Sequence, residues 1–262
     1  MSKIIAVGGG EIGRPGFTFE TIKIDKEIIK LSGKKSPKLL FIPTASSDSE
    51  SYYEVVKKYF GKKLSCRVDV LYLIKKQINF KEIKDKILNA DIIYVGGGNT
   101  LKMMNVWKRI GVDKILWQAY KKNIVLSGVS AGAICWFKYG NSDSRKFTAK
   151  KQTSLIKVSG LGFFEILLCP HYDREVDRKE SLKKMTKKSK EVALALDNCS
   201  AIEIVNDKYR IITSKKKAKA YKVYWQNNCY IEEPIKVSSD FKPIKTLMLK
   251  GSDSFKLIKR LT

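Results

Sequence analysis

The pentapeptide Gly128-Val129-Ser130-Ala131-Gly132 is the segment of this chain best suited to chemistry. It follows the apolar run Asn123-Ile124-Val125-Leu126-Ser127 and leads into the helix-compatible Ala131-Gly132-Ala133-Ile134-Cys135-Trp136. A serine in such a strand-turn-helix elbow is held in a strained turn with small neighbours, open to a substrate carbonyl. The amide of Ala131 and the start of the helix would then face the negative charge that develops on the carbonyl oxygen. A serine hydroxyl is a weak nucleophile near neutral pH and needs a base. The chain has one histidine, His171, so a Ser-His pair within it must use that residue. His171 follows Leu167-Leu168-Cys169 and Pro170, at the end of an expected strand.

The group that would orient the imidazole has several candidates. Asp143 comes after the elbow helix, Asp173 lies two residues beyond the histidine, and Asp197 with Asn198 closes the strand Ala193-Leu194-Ala195-Leu196. Each also reads as an ordinary turn acid or helix cap. Gly96-Gly97-Gly98-Asn99-Thr100 is a second informative loop, because glycines let the backbone aim an N–H at a bound carbonyl or anion. Gly98 is the expected second oxyanion donor. Gly8-Gly9-Gly10-Glu11-Ile12-Gly13 fits the dinucleotide pattern G-x-G-x-x-G, but Arg14-Pro15-Gly16 interrupts the helix that pattern requires. The second strand, moreover, ends in Ile42-Pro43-Thr44 without the acid that would hold a ribose.

The elements that must position these residues alternate. Short apolar strands are expected at 3–7, 38–42, 68–73, 91–95 and 123–127, with helices at 19–32, 50–60, 80–88, after the Asn99 or Thr100 cap, and at 111–121. This rhythm predicts an α/β fold with a mostly parallel sheet covered by helices on both faces, whose ligands bind beyond the carboxyl ends of the strands. After about residue 150 a strand at 161–169, a helix at 179–190 and a strand at 192–196 precede short strands at 201–205, 209–213, 219–225 and 229–233. The last of these strands read as an antiparallel extension, about 206–262 with a lysine-rich tail over 234–262, on one domain spanning 1–262.

The composition sets limits on function. The hydrophobic share of 44% permits a full core without metal or disulfide staples. Five well-separated cysteines without C-x-x-C spacing predict a reduced, cytoplasmic setting, and the apolar stretch at the N-terminus is too brief for a signal peptide. No apolar run approaches the roughly 20 residues of a membrane span. The net charge of +26 is spread over nearly every helix and loop, which argues for a solvated lysine surface and against specific nucleic-acid binding.

Taken together, Phe41-Ile42-Pro43-Thr44-Ala45, Ile93-Tyr94-Val95-Gly96-Gly97-Gly98-Asn99-Thr100, Gly128-Val129-Ser130-Ala131-Gly132-Ala133 and Pro170-His171 resemble the peptidase E family of alpha-aspartyl dipeptidase and cyanophycinase-like serine peptidases. The resemblance spans roughly residues 1–205. It implies a flavodoxin-like fold related to class I glutamine amidotransferases and hydrolysis of short peptides through an acyl-enzyme. Ser130 matches the family nucleophile, His171 its base, and Gly98 and Ala131 the oxyanion regions. The family acid aligns with the pair Asp197-Asn198, and the alignment places Asn198 on the family glutamate, a departure from the pattern. The dipeptidase branch prefers an N-terminal aspartate, which an arginine after the histidine would suit; Arg174 and Arg178 lie there, and Arg178 is the candidate carried forward. No metal or organic cofactor is implied. An esterase-like hydrolase with the order Ser130, Asp143, His171 and a non-catalytic binding protein of the same fold are the competing expectations.

Overall fold

The computed structural model describes residues 2–147, 154–174, 176–189 and 191–251. In chain order its strands and helices are β1 (Lys3–Val7), α1 (Ile22–Ser32), β2 (Lys38–Ile42), α2 (Glu50–Val56), β3 (Arg67–Val70), α3 (Phe80–Leu88), β4 (Ile92–Val95), α4 (Thr100–Ile110), α5 (Val112–Lys121), β5 (Val125–Val129) and α6 (Ala131–Ile134). These are followed by β6 (Phe137–Ser142), β7 (Ile156–Ser159), β8 (Phe164–Cys169), α7 (Val176–Ser189), β9 (Ala193–Leu196), β10 (Ser200–Val205), β11 (Lys208–Thr213), β12 (Ala220–Gln226), β13 (Cys229–Pro234), β14 (Lys242–Pro243) and α8 (Ile244–Met248).

The strands form two sheets rather than the single sheet expected from the sequence. The larger has the order β14-β11-β10-β1-β5-β4-β2-β3, with β1, β5, β4, β2 and β3 parallel to one another and β10, β11 and β14 added antiparallel on the β1 side. The smaller has the order β13-β12-β9-β8-β6-β7, in which only β9, β8 and β6 run parallel. The short strands after residue 200 are therefore divided. β10 and β11 extend the first sheet, whereas β12 and β13 extend the second.

Burial explains why the apolar strands read as continuous runs. Every residue of β4 and β5 is buried, as helices cover both faces, while edge strand β3 alternates exposed and half-buried positions. Each fully buried Leu, Ile or Phe in such a layer contributes about 1.5–3 kcal/mol of transfer free energy. Helix starts follow the expected chemistry. Asn79 and Asn99 cap α3 and α4, their side chains accepting the amides of Glu82 at 2.8 Å and Lys102 at 2.9 Å. The helix expected at 50–60 stays α-helical only to Val56. It then widens into a π-helical segment, Lys57–Lys63, that buries Tyr59 and Phe60 side by side. β6 and β7 had no counterpart in the sequence reading, since Lys138, Tyr139, Gly140 and Asn141 break any simple apolar pattern. Among the described residues no helix is long and apolar enough to cross a membrane.

Candidate active site

Ser130 stands at the carboxyl end of β5 with φ 56° and ψ −112°, a backbone conformation that costs a non-glycine residue on the order of 1–3 kcal/mol. Its own backbone holds it there. The Ser130 amide donates to the Val7 carbonyl at 3.1 Å, and its carbonyl accepts the amides of Ala133 and Ile134, each at 2.9 Å. The flanking glycines are needed because α6 lies almost against the backbone of β4. A methyl group on Gly132 would fall 2.1 Å from the Val95 carbonyl oxygen, and one on Gly128 would fall 2.4 Å from that of Gly132. Ala131 opens α6, so its amide belongs to the first helical turn, which has no carbonyl four residues back to receive it.

Ser130 and His171 line one cleft of about 760 Å³, together with Gly97, Tyr52, Arg174 and Asn198 and the loop from Gly10 to Glu20. His171 follows β8 in the left-handed region, φ 55°, its amide donating to the Gly8 carbonyl at 3.0 Å. His171 Nδ1 lies 2.6 Å from Asn198 Oδ1. That oxygen can only accept, so in the neutral ring the proton sits on Nδ1 and Nε2 keeps its lone pair. Asn198 belongs to the turn between β9 and β10, the crossing point between the two sheets, where Cys199 donates to the Gly9 carbonyl at 2.8 Å.

Gly9 accounts for the glycine run that resembled a nucleotide loop. A methyl group there would lie 2.1 Å from Asn198 Oδ1 and 2.4 Å from His171 Nδ1, so the bare backbone of this loop makes room for the His-Asn pair. The loop's role was missed from sequence because its three contacts, His171, Asn198 and Cys199, lie more than 160 positions away along the chain.

The other candidates are distributed differently. Asp197 turns from the histidine to accept the Lys219 amide at 2.9 Å, and burial pushes its carboxyl above the usual range. Asp143 pairs with Lys146 at 3.7 Å and Arg178 at 3.9 Å, outside the cleft lining, so the order Ser130, Asp143, His171 has no geometric support. Asp173 accepts the Asn198 amide at 2.7 Å. The expectation for Arg178 is corrected: it is 1% exposed, its guanidinium donating to the Asn141 carbonyl at 3.0 Å, and the arginine of this segment that lines the cleft is Arg174. Helix α7 turns Arg178 inward under β6, while Arg174 precedes the helix and stays exposed. Gly98 turns toward Ala45, whose carbonyl oxygen a methyl group would meet at 2.3 Å, and Gly97 is the glycine beside Ser130.

The cleft walls carry both signs of charge. Arg14 pairs with Glu11 and lies over the Phe17 ring at 4.9 Å. Glu20 accepts from Lys215, which holds its carboxyl below the usual range, and from the Glu11 amide at 3.2 Å. The Tyr52 hydroxyl lies 3.5 Å from the Gly97 amide, and burial pushes its pKa up to about 12, so it stays neutral. Behind the loop, Asp25 is fully buried and accepts the hydroxyls of Thr21 and Tyr59, each at 2.7 Å, while desolvation raises its pKa to about 7. Among the described residues no group of three or more His, Cys, Asp or Glu side chains is placed to hold a metal ion.

A strained serine and a tautomer-fixed histidine at strand ends match the order of motifs seen in the sequence, and residues 4–212 match the model of peptidase family S51. The chain belongs to peptidase family S51. It is therefore placed among serine-type peptidases. It is 36% identical over 241 residues to the uncharacterized peptidase YgaJ of Bacillus subtilis (strain 168), covering 90% of this chain and 98% of that protein. The fold is similar to that of a crystallised peptidase from an acI-B1 Actinobacterium, with a TM-score of 0.67 at 18% identity, covering 92% of this chain and 96% of the other. A Listeria monocytogenes EGD-e protein assigned to peptidase E superposes with a TM-score of 0.61 at 22% identity, covering 81% of this S51 chain and 98% of its own.

Proposed function

We propose that this S51 protein hydrolyses short peptides through an acyl-enzyme on Ser130, with His171 as general base and acid. The hydrogen bond between His171 Nδ1 and Asn198 Oδ1 carries this reading, because it leaves Nε2 able to take the serine proton. Ser130 Oγ then attacks the scissile carbonyl, and the oxyanion is received by the Ala131 amide and the Gly97-Gly98 turn. His171 passes its proton to the leaving amine, and water attacks the ester to release the acyl group and restore Ser130. Asn198 orients the ring; being neutral, it does so without the charge an acid would supply.

A preference for acidic N-terminal residues, aspartate above all, is supported by Arg174 at the cleft wall, where a guanidinium can bind a carboxylate through two parallel hydrogen bonds. The test is a dipeptide screen comparing Asp-Xaa with neutral and basic N-terminal residues for the wild type, Ser130→Ala and Arg174→Gln. Asp-Xaa cleavage that disappears in Ser130→Ala, with a raised KM in Arg174→Gln, is the expected pattern. Undiminished cleavage by Ser130→Ala would refute the mechanism.

A further inference from the structure

The asparagine behind His171 orients the ring but carries no charge, and the Asp173 carboxylate stands one hydrogen bond further out. Asp173 Oδ1 accepts the backbone amide of Asn198 at 2.7 Å, and the Asn198 side chain reaches His171 Nδ1 at 2.6 Å. Asp173 is also two residues from His171, in a tight turn closed by the Arg174 amide donating to the His171 carbonyl at 3.2 Å. The imidazole, the Asn198 side chain, the Asn198 backbone and the Asp173 carboxylate thus form a ring that returns to the histidine through its own chain.

We propose that Asp173 is the positioning residue of this site, holding the Asn198 turn against the imidazole and supplying the negative charge that Asn198 lacks. The proposal deepens the reading of Ser130 and His171 as a catalytic pair and rests on it. In an ordinary triad one acid orients the ring and stabilises the imidazolium. Here the two tasks are divided. Asn198 sets the ring, and Asp173 clamps Asn198 while its carboxylate, in the same turn as the ring, favours the protonated form.

Asp197 cannot take this part, since its carboxylate is turned to Lys219. Among the described residues, the other charged groups of the cleft are Arg174 on the histidine's own turn and Glu11, Arg14 and Glu20 on the loop after β1, with Lys215 bonded to Glu20 and Lys179 of α7 acting on Asp197. Arg174 Nε lies 3.6 Å from Asp173 Oδ2, so the two charges partly offset each other.

The single histidine makes the test direct, because every imidazole NMR signal belongs to His171. Titration is followed in the wild type, Asp173→Asn and Asp173→Ala, and again in the same three backgrounds with Arg174→Gln added, to separate the arginine's contribution. Asp173→Asn keeps an acceptor for the Asn198 amide and removes the charge. We expect its midpoint to fall by roughly half to one pH unit with the Nδ1 proton retained. In Asp173→Ala the midpoint falls similarly and the Nδ1 proton is no longer held on one tautomer. On a cleaved dipeptide, kcat should fall roughly 10-fold in Asp173→Asn and further in Asp173→Ala, with KM little changed. An unchanged midpoint and tautomer in both variants would overturn the proposal. The titration needs no substrate, so failure of Ser130→Ala to abolish hydrolysis tests the peptidase reading separately.

Discussion

The serine and the histidine of this protein are built by opposite strategies. The Ser130 elbow is almost wholly local: strand, strained turn and helix come from residues 125–134, and what presses on the turn from outside is chiefly backbone, including that of Val7, Val95 and Gly97. The His171 assembly draws on four separate segments, with Gly8 and Gly9 after β1, His171 and Asp173 after β8, Asn198 between the sheets, and Lys219 before β12 holding Asp197 aside. A local device is written in one motif, whereas a distributed one is written in residues whose meaning depends on where the chain returns. If Ser130 and His171 act as proposed, damage to the elbow should abolish activity outright, and damage to the histidine assembly should produce graded losses.

The largest effect expected is at the elbow itself. Ser130→Ala should lower kcat by roughly 10⁴-fold or more in any peptide assay. Ser130→Gly should be equally inactive yet more stable by about 1 kcal/mol in denaturant unfolding, since glycine occupies φ 56° and ψ −112° without strain. An inactive but destabilised glycine variant would break the claim that the turn stores strain.

The two glycine contacts separate the strategies. Gly132→Ala pushes on backbone, and calorimetry should show a loss of roughly 3 kcal/mol or more or failure to fold. Gly9→Ala pushes mainly on the Asn198 and His171 side chains, so it should cost activity, roughly 10²-fold in kcat, more than stability.

Asn198 sharpens the comparison further. Asn198→Ala should reduce kcat/KM roughly 10- to 100-fold by freeing the ring. Asn198→Asp places a carboxylate against His171 Nδ1, favours the imidazolium, and should move the acid limb of the kcat/KM profile to higher pH.

A smaller effect is expected in stability against pH. Asp25 titrates near 7 when folded and near the ordinary carboxylate value when unfolded, so between those limits the folded state binds the extra proton. Stability should fall as pH rises from about 4 to about 7 and then level off, and Asp25→Asn should flatten that slope in thermal melts. The smallest effect is reserved for Asp197→Asn, which keeps an acceptor for the Lys219 amide and should leave kcat/KM within about 2-fold of wild type.

Much of this was legible without coordinates. Apolar runs bounded by Gly, Pro and Asn marked the strands of the first sheet, because strands buried on both faces must be apolar throughout, and Asn99 announced its helix by capping chemistry. Helix limits were less legible, as with α2, which passes into a π-helical segment that buries Tyr59 and Phe60. The second sheet was not foreseen as a sheet, since pairing between strands far apart leaves no periodic trace in either strand.

For the site, the sequence by itself singled out Ser130 and His171, the proposed nucleophile and base. An elbow is a short-range feature dictated by strand, small residues and helix start, and a chain with one histidine leaves no choice of imidazole. Tertiary structure alone decided that Asn198 and not Asp197 meets His171, that Arg174 and not Arg178 reaches the cleft, and that Gly9 clears the space between them. Neighbouring residues at a turn point in different directions, and which of them faces the site depends on where the backbone crosses from one sheet to the other, a long-range property that no local pattern encodes.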